Sequence, residues 1–479
     1  MNCDTAIAGL RQFRQSVFQR VFENKAVMLD LLDAVCSNTT AKSVVELSLN
    51  SQFRWKYSSL YQGIESFVKP EKDQETPHIQ KEKAYLRVIN EHLPSIWPEG
   101  FIVIGSDCTS ISRRFAKTLK DCGVVYSPNA ILNNKPITIG HQYSHLALLP
   151  YKTEQQKSSW VVPLSVRRVA SAEKSVTVAS QQVSTFLEEM VLKLEQLVLH
   201  VGDCAYSDAL FSSPLRLHSN VVCIARVRNN RVFYFLPPVS THHEKGHPTW
   251  YGSKFSLMDS STWGDPQQEE RVPYTTHQGK TYTLHVQAWE NLIMKAPQTL
   301  EMHKHPFTLV RVECLTAEGN LLHKKPMWLM ISGQNRDQIT ALSATKVYHQ
   351  RYDLEHFFRF GKQHLLMDAF QTPEVDREEN WQMLSMLAYA QLFIAQPLAE
   401  VLPRPWESKK VVLETSLCSP SCVQRDFARI TQQIGRLTLD PKPRGKSSGR
   451  PKGKKGTQRQ KEIWVIKGKK NKKSKPKEA

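Results

Sequence analysis

Apolar residues recur at helical spacing through the first hundred positions: Val17, Val21 and Phe22, then Met28, Leu31, Leu32 and Val35. The pattern predicts a helical domain over residues 1–96, the expected DNA-binding domain, interrupted at Asn38 to Thr40 and at Asn50-Ser51. Ser43 to Ile64 carries Gln52, Arg54, Lys56, Tyr57, Ser58, Ser59, Tyr61 and Gln62. A helix-turn-helix would present such side chains to a DNA groove, and a plain bundle would present them to solvent. The period changes after Trp97-Pro98-Glu99-Gly100, where Phe101-Ile102-Val103-Ile104-Gly105 reads as a short buried strand. Strands are expected at Ile137 to Ile139, Leu146 to Leu149, Trp160 to Val166 and Leu197 to His200, with a helix over Ser180 to Glu195 before the last. Strands, a helix and a further strand in that order make residues 97–220 an α/β layer. Residues 221–334 look strand-rich, with strands at Thr281 to Trp289, Phe307 to Cys314 and Met327 to Ile331 between Pro, Gly and His-rich loops. Residues 335–402 turn helical again, through Leu366 and over Glu378 to Val401, and 403–440 form a short C-terminal region.

A chain of 479 residues has room for two or three domains with real cores. No run is long and apolar enough to span lipid, and Met1 to Gln19 lacks a signal-peptide core, so a cytosolic location is expected. The nine cysteines are scattered with no CxxC pair, which predicts reduced thiols and no zinc ribbon. Cys418 and Cys422 lack a second pair beside them, and His242, His243 and His247 sit in a Gly- and Pro-containing loop. The net charge of +19 changes the picture, because it asks for a polyanionic partner. Beyond Asp440 there are 16 Lys and Arg against 2 Glu, a net +14, in a segment with almost nothing apolar except Ile463, Trp464, Val465 and Ile466. Residues 441–479 are therefore expected to be a disordered basic tail.

Two acids stand at strand ends: Asp107 in Gly105-Ser106-Asp107-Cys108-Thr109, and Asp203 after Leu197 to Gly202. Carboxylates held there can collect a hard cation such as Mg²⁺, although a strand-ending Asp also serves as a turn or cap residue. Asp121 and Asp208 are the neighbouring rivals, with Asp208 placed as a helix cap. A third group is more specific. At about 100° per residue, Tyr348, Arg351, Glu355 and Lys362 fall within roughly 60° on one helix. Val347, Leu354, Phe358 and Leu365 would anchor that helix, aiming the polar stripe into a cleft where a metal and phosphates could meet.

Tyr, two residues, Arg, three residues, Glu, six residues and Lys resembles the Y-R-E-K signature of bacterial insertion-sequence DDE transposases. Asp107 and Asp203 look like the first two acids of that family. The resemblance, over Phe101 to Val401, implies an RNase H-like catalytic core interrupted by a β-rich insertion, which is where the strand-rich segment lies. It implies that Asp107, Asp203 and Glu355 bind two Mg²⁺ ions, with Mn²⁺ as a substitute, about 3.5–4 Å apart. Strand cleavage and strand transfer of element ends would follow. It also implies that Tyr348, Arg351 and Lys362 grip phosphates, and that Trp328 stacks on a flipped base as in hairpin-forming relatives, against the alternative of a buried strand Trp.

Arg226 and Arg228, with Arg231, could line a DNA path or decorate a basic hairpin. Arg450 lies in Gly449-Arg450-Pro451-Lys452-Gly453, which resembles an AT-hook core that enters A·T-rich minor grooves. The expected partner is double-stranded DNA, bound as a homodimer in a bacterial, nucleoid-associated setting without membrane contact. Two other readings share the same sequence: a catalytically silent DNA-binding descendant, and a metal-dependent nuclease that cuts without joining.

Overall fold

The computed structural model describes residues 3–69, 77–93, 100–116, 118–127, 136–150, 160–190, 196–238, 250–275, 279–401 and 418–441. Four helices come first: α1 (Cys3–Ser16), α2 (Ala26–Cys36), α3 (Tyr57–Phe67) and α4 (Pro77–Asn90). The strands β1 (Phe101–Ser112), β2 (Gly123–Tyr126), β3 (Ile137–Leu148) and β4 (Val162–Val169) precede α5 (Ser175–Met190), β5 (Leu197–Gly202), α6 (Ala209–Leu215) and β6 (Val221–Val227). Next come β7 (Val232–Tyr234), β8 (Lys254–Ser256), β9 (Gln268–Thr275), β10 (Thr281–Leu292), β11 (Phe307–Leu315) and β12 (Met327–Ser332). The helices α7 (Ala341–His349), α8 (Tyr352–His364), α9 (Val375–Val401) and α10 (Pro420–Ile434) end the described fold.

The fold is mixed α/β around one large sheet. Among the described residues, ten strands join in the order β2-β3-β1-β5-β6-β12-β11-β10-β9, with β4 also paired to β3. β1, β3 and β4 run antiparallel in succession, whereas β5 and β6 are parallel to β1 and to each other. A parallel step requires a crossover, which α5 and α6 supply on the sheet's flank. The segments expected as two strands at Ile137 to Ile139 and Leu146 to Leu149 are one strand, β3. In its buried polar middle, Ser144 is satisfied by Gln182 of α5, whose Nε2 donates to the Ser144 carbonyl at 3.1 Å and to Ser165 Oγ at 2.7 Å, and whose Oε1 accepts from Ser144 Oγ at 2.6 Å.

The strands expected as a separate insertion extend this same sheet, since β12 pairs with β6 from Trp328↔Val227 to Ser332↔Cys223. Alternation along β12 sends Leu329 and Ile331 into the main core and Trp328 and Met330 into a second core on the opposite face. That second core interlocks Trp263, Trp289 and Trp328, with ring centroids 5.2–5.7 Å apart.

The first ninety residues are not set apart either. Leu10, Phe13, Leu31, Leu32, Leu60, Ile64, Tyr85 and Leu86 belong to the same buried cluster as Ile102, Val198 and Leu387. α9 is buried nearly all round, as expected of a central helix. Its polar side chains find backbone partners: Asn380 Nδ2 donates to the Ile64 carbonyl at 2.8 Å, and Gln382 Nε2 to that of Met367 at 2.7 Å. A further tie to α9 is the ion pair of Arg113, at the end of β1, with Glu378, whose Oε1 lies 3.1 Å from His141 Nδ1; all three residues are buried. No described helix is long and apolar enough to cross a membrane.

Candidate active site

β1 and β5 pair in parallel up to Gly105↔Val201. Asp107 and Asp203 each stand two residues beyond that last pair, which puts both acids at the same level of the sheet. Asp107 does not end its strand, contrary to the expectation: β1 runs on to Ser112 because β3 still pairs with it, Asp107 opposite His145. Asp203 does leave the sheet, in a turn closed by Asp203 Oδ1 accepting from the Ala205 amide at 2.8 Å. Glycine makes both approaches possible. A Cβ on Gly202 would lie 2.6 Å from the Tyr206 side chain, and one on Gly105 would meet Leu354 Cδ1 at 3.0 Å. Gly105 thus lets α8 rest directly on β1, with Leu354 on the sheet and its neighbour Glu355 beside the acids.

The single helix expected from Tyr348 to Lys362 is two helices, with the break at Gln350-Arg351. The joint is a tight turn: the amides of Gln350, Arg351 and Leu354 bond to carbonyls three residues back at 3.0–3.1 Å. Arg351 therefore stands at the start of α8, and its guanidinium bridges two acids. Nη1 donates to Asp107 Oδ2 at 3.0 Å and Nη2 to Glu355 Oε1 at 2.9 Å. Asp107 is pushed up to about 6, chiefly by burial; Arg351 and the Cys108 amide oppose the rise, and the charges of Asp203 and Glu355 add to it. That mutual influence places the three carboxylates in one electrostatic neighbourhood.

Tyr348, three residues before Arg351 on α7, is buried, which raises its phenol, while Arg351 and Arg226 pull it down and Asp203 pushes it up. Arg226 is exposed on β6, and Arg228, just beyond the strand, is raised by Cys204 and, more weakly, by Asp203. Arg226, Arg228, Tyr348 and Arg351 are thus gathered around the acids. Lys362 lies farther along β1, where Nζ donates to the Ser110 carbonyl at 3.0 Å.

Other expectations part from the site. Trp328 is fully buried in the tryptophan cluster, so it has no open face for a base. Asp208 caps α6 through the Leu210 amide at 2.9 Å, and Asp121 is paired with Arg168. Arg450 lies outside the described residues. Sequence reasoning passed over Tyr206, which is buried against Gly202 with its hydroxyl 3.8 Å from Cys108 Sγ, bracing the turn that carries Asp203. The aromatic three residues after Asp203 was the available signal.

Residues 16–292 match the family described as DDE superfamily endonuclease, which is more than half of the chain. The chain belongs to that family. Membership implies phosphoryl-transfer nuclease chemistry on DNA and the general use of divalent metals. The matched span contains Asp107 and Asp203, while Glu355 lies beyond it. No curated protein matches the chain. Solved structures similar to it include the NurA nuclease from Sulfolobus solfataricus, at 11% identity and a TM-score of 0.23, covering 56% of this chain and 85% of that one. Another is the C-terminal lobe of a budding yeast Argonaute, at 10% identity and a TM-score of 0.23, covering 83% and 66% respectively.

The donor set suits a DDE endonuclease's metals. Asp107, Asp203 and Glu355 offer the hard carboxylate oxygens that such cations take. As they stand, no group of three His, Cys, Asp or Glu among the described residues is close enough to share one ion, and the Arg351 guanidinium bridges Asp107 and Glu355.

Proposed function

We propose that the protein is a DNA transposase, which cuts and joins the ends of an insertion-sequence element using Asp107, Asp203 and Glu355 on an RNase H-like core. The observation that carries the reading is the convergence of three distant segments. The register of β1 and β5 levels Asp107 with Asp203, and Arg351 ties Glu355 to Asp107 across 248 positions of chain (355 − 107). The strand order β4-β3-β1-β5-β6, three antiparallel and then two parallel, supports the RNase H-like reading. The extension β9 to β12 lies between the second acid and the third, where the resemblance expects an insertion.

Divalent metal ions, when bound by the three acids, would activate a water or a 3′-hydroxyl and stabilise the departing oxygen. The chain's own residues do the rest. Arg351 presents a planar fork suited to a phosphate as well as to a carboxylate. Arg226 and Arg228 supply positive charge on the Asp203 side, and Tyr348, buried among these cations, positions DNA without acting as a nucleophile. Double-stranded DNA is the substrate, held by a homodimer that brings two ends together.

The test is cleavage and joining of DNA carrying the ends that flank the gene, with Mg²⁺, comparing wild type with Asp203→Asn, Glu355→Gln and Asp208→Asn. Loss of both activities in the first two, by at least about a thousandfold, with retention in Asp208→Asn is the expected result. Equal cleavage by Glu355→Gln would remove Glu355 from the site. Cleavage without joined products in wild type would make the protein a nuclease only.

A further inference from the structure

We infer that Arg351 is a built-in counter-ion for the acids in the DNA-free protein, and that it must be surrendered to a DNA phosphate before a divalent cation can load. The inference rests on the proposed three-acid site. Among the described residues, Arg351 is the only cation hydrogen-bonded to Asp107 or Glu355, and it bonds to both. Its side chain is 18% exposed, so the fork is within reach of an incoming ligand. It springs from the tight turn between α7 and α8, whose backbone hydrogen bonds do not involve the guanidinium.

A guanidinium and a divalent cation compete for the same oxygens, and at a separation of a few ångström they repel each other even in near-aqueous surroundings. A phosphate diester offers the guanidinium the paired oxygens that the two carboxylates offer now. DNA therefore pulls Arg351 away from Asp107 and Glu355 and leaves behind uncompensated negative charge for the metal. Coupling of this kind is reciprocal: DNA tightens metal binding, and metal tightens DNA binding. The protein would then carry little loaded metal away from DNA.

The experiment is a titration of the full-length, metal-stripped protein with Mn²⁺ alone, following free Mn²⁺ by electron paramagnetic resonance. It is repeated with a DNA duplex, the Mn²⁺ taken up by duplex alone being subtracted. Without DNA, Arg351→Gln is expected to bind Mn²⁺ at least about tenfold more tightly than wild type, while Arg351→Lys, which keeps the charge, stays near wild type. With the duplex, wild type gains affinity and Arg351→Gln gains little. A merely structural Arg351 would give the opposite sign, since a damaged site binds metal more weakly. Unchanged or weaker binding by Arg351→Gln, with Asp107→Asn still lowering the affinity of wild type, overturns the counter-ion role and leaves the acid site standing. If Asp107→Asn changes Mn²⁺ binding in neither wild type nor Arg351→Gln, the acid site itself fails, and the inference with it.

Discussion

Replacing Asp107 by Asn should make the metal-free protein more stable at neutral pH, although it removes one partner of an ion pair. Burial outweighs Arg351 and lifts the carboxyl from 3.8 to about 6 on folding. An acid that titrates about two pH units higher in the folded chain opposes folding by up to about 3 kcal/mol once the pH exceeds both values. The side chain is 21% exposed, so screening by water lowers this to about 1–2 kcal/mol. The sign follows from which state holds the proton. Above about 6 the penalty is complete; it shrinks as the pH falls through the folded value and is gone below the unfolded one, where both states are protonated. Asparagine resembles the protonated acid at every pH. Differential scanning calorimetry in EDTA should therefore show Asp107→Asn melting about 1–2 °C above wild type near pH 7.5, given an unfolding entropy of about 1 kcal/mol/K for 479 residues, and level with it near pH 3. A variant that melts below wild type near pH 7.5, or that differs from it equally at both pH values, would refute the reasoning. Such a result would mean that the bond to Arg351, not desolvation, governs this carboxyl.

Two further outcomes concern the scaffold. Trp328→Ala should cost about 3–5 kcal/mol in urea denaturation by opening the tryptophan cluster, whereas Trp328→Phe should cost only about 1 kcal/mol, because the indole N–H has no partner to lose; a Phe variant that folds normally but alters DNA products would restore a DNA role for this residue. Glu378→Gln should destabilise by about 3–5 kcal/mol, since it leaves Arg113 charged and buried without its partner. A loss near zero on the same denaturation assay would show that His141 and water take over.

The parts of the fold that could be read in the sequence are those where side-chain pattern and burial agree. Phe101 to Gly105 and Leu197 to Gly202 are β-branched runs buried on both faces, and the Glu378 to Val401 helix is long enough to announce itself. Elements escaped notice where tertiary partners override the pattern. β9 reads Gln-Glu-Glu-Arg because it is the outer strand, with water on one side. The middle of β3 looks like a loop until Gln182 is placed beside it. The joint at Gln350-Arg351 contains neither Gly nor Pro, so no local signal divides α7 from α8. Of the candidate site, spacing put Arg351 beside Glu355, since four residues apart remains close across the turn, and Lys362 on the same face of α8 two turns on, but it carried one helix back through Tyr348, which belongs to α7. Trp328 shows the limit of position alone: which face of a strand a residue takes depends on the layer behind it, and here that layer is three more aromatic rings.

The single core that joins α1 to α4 with α9 and the sheet bears on how such a chain can change over generations. A DNA-reading module hung on a linker can be exchanged whole, leaving catalysis untouched. Here the first four helices share a buried core with the strands that carry the acids, and Arg54 fastens Asp30 on α2 to Thr438 and Asp440 beyond α10. Transplanting the first ninety residues would open the hydrophobic interior of the recipient and the donor alike. Change in these helices is therefore confined to substitution on their exposed surfaces, one side chain at a time, and descendants of this chain should drift there rather than acquire a new module by recombination.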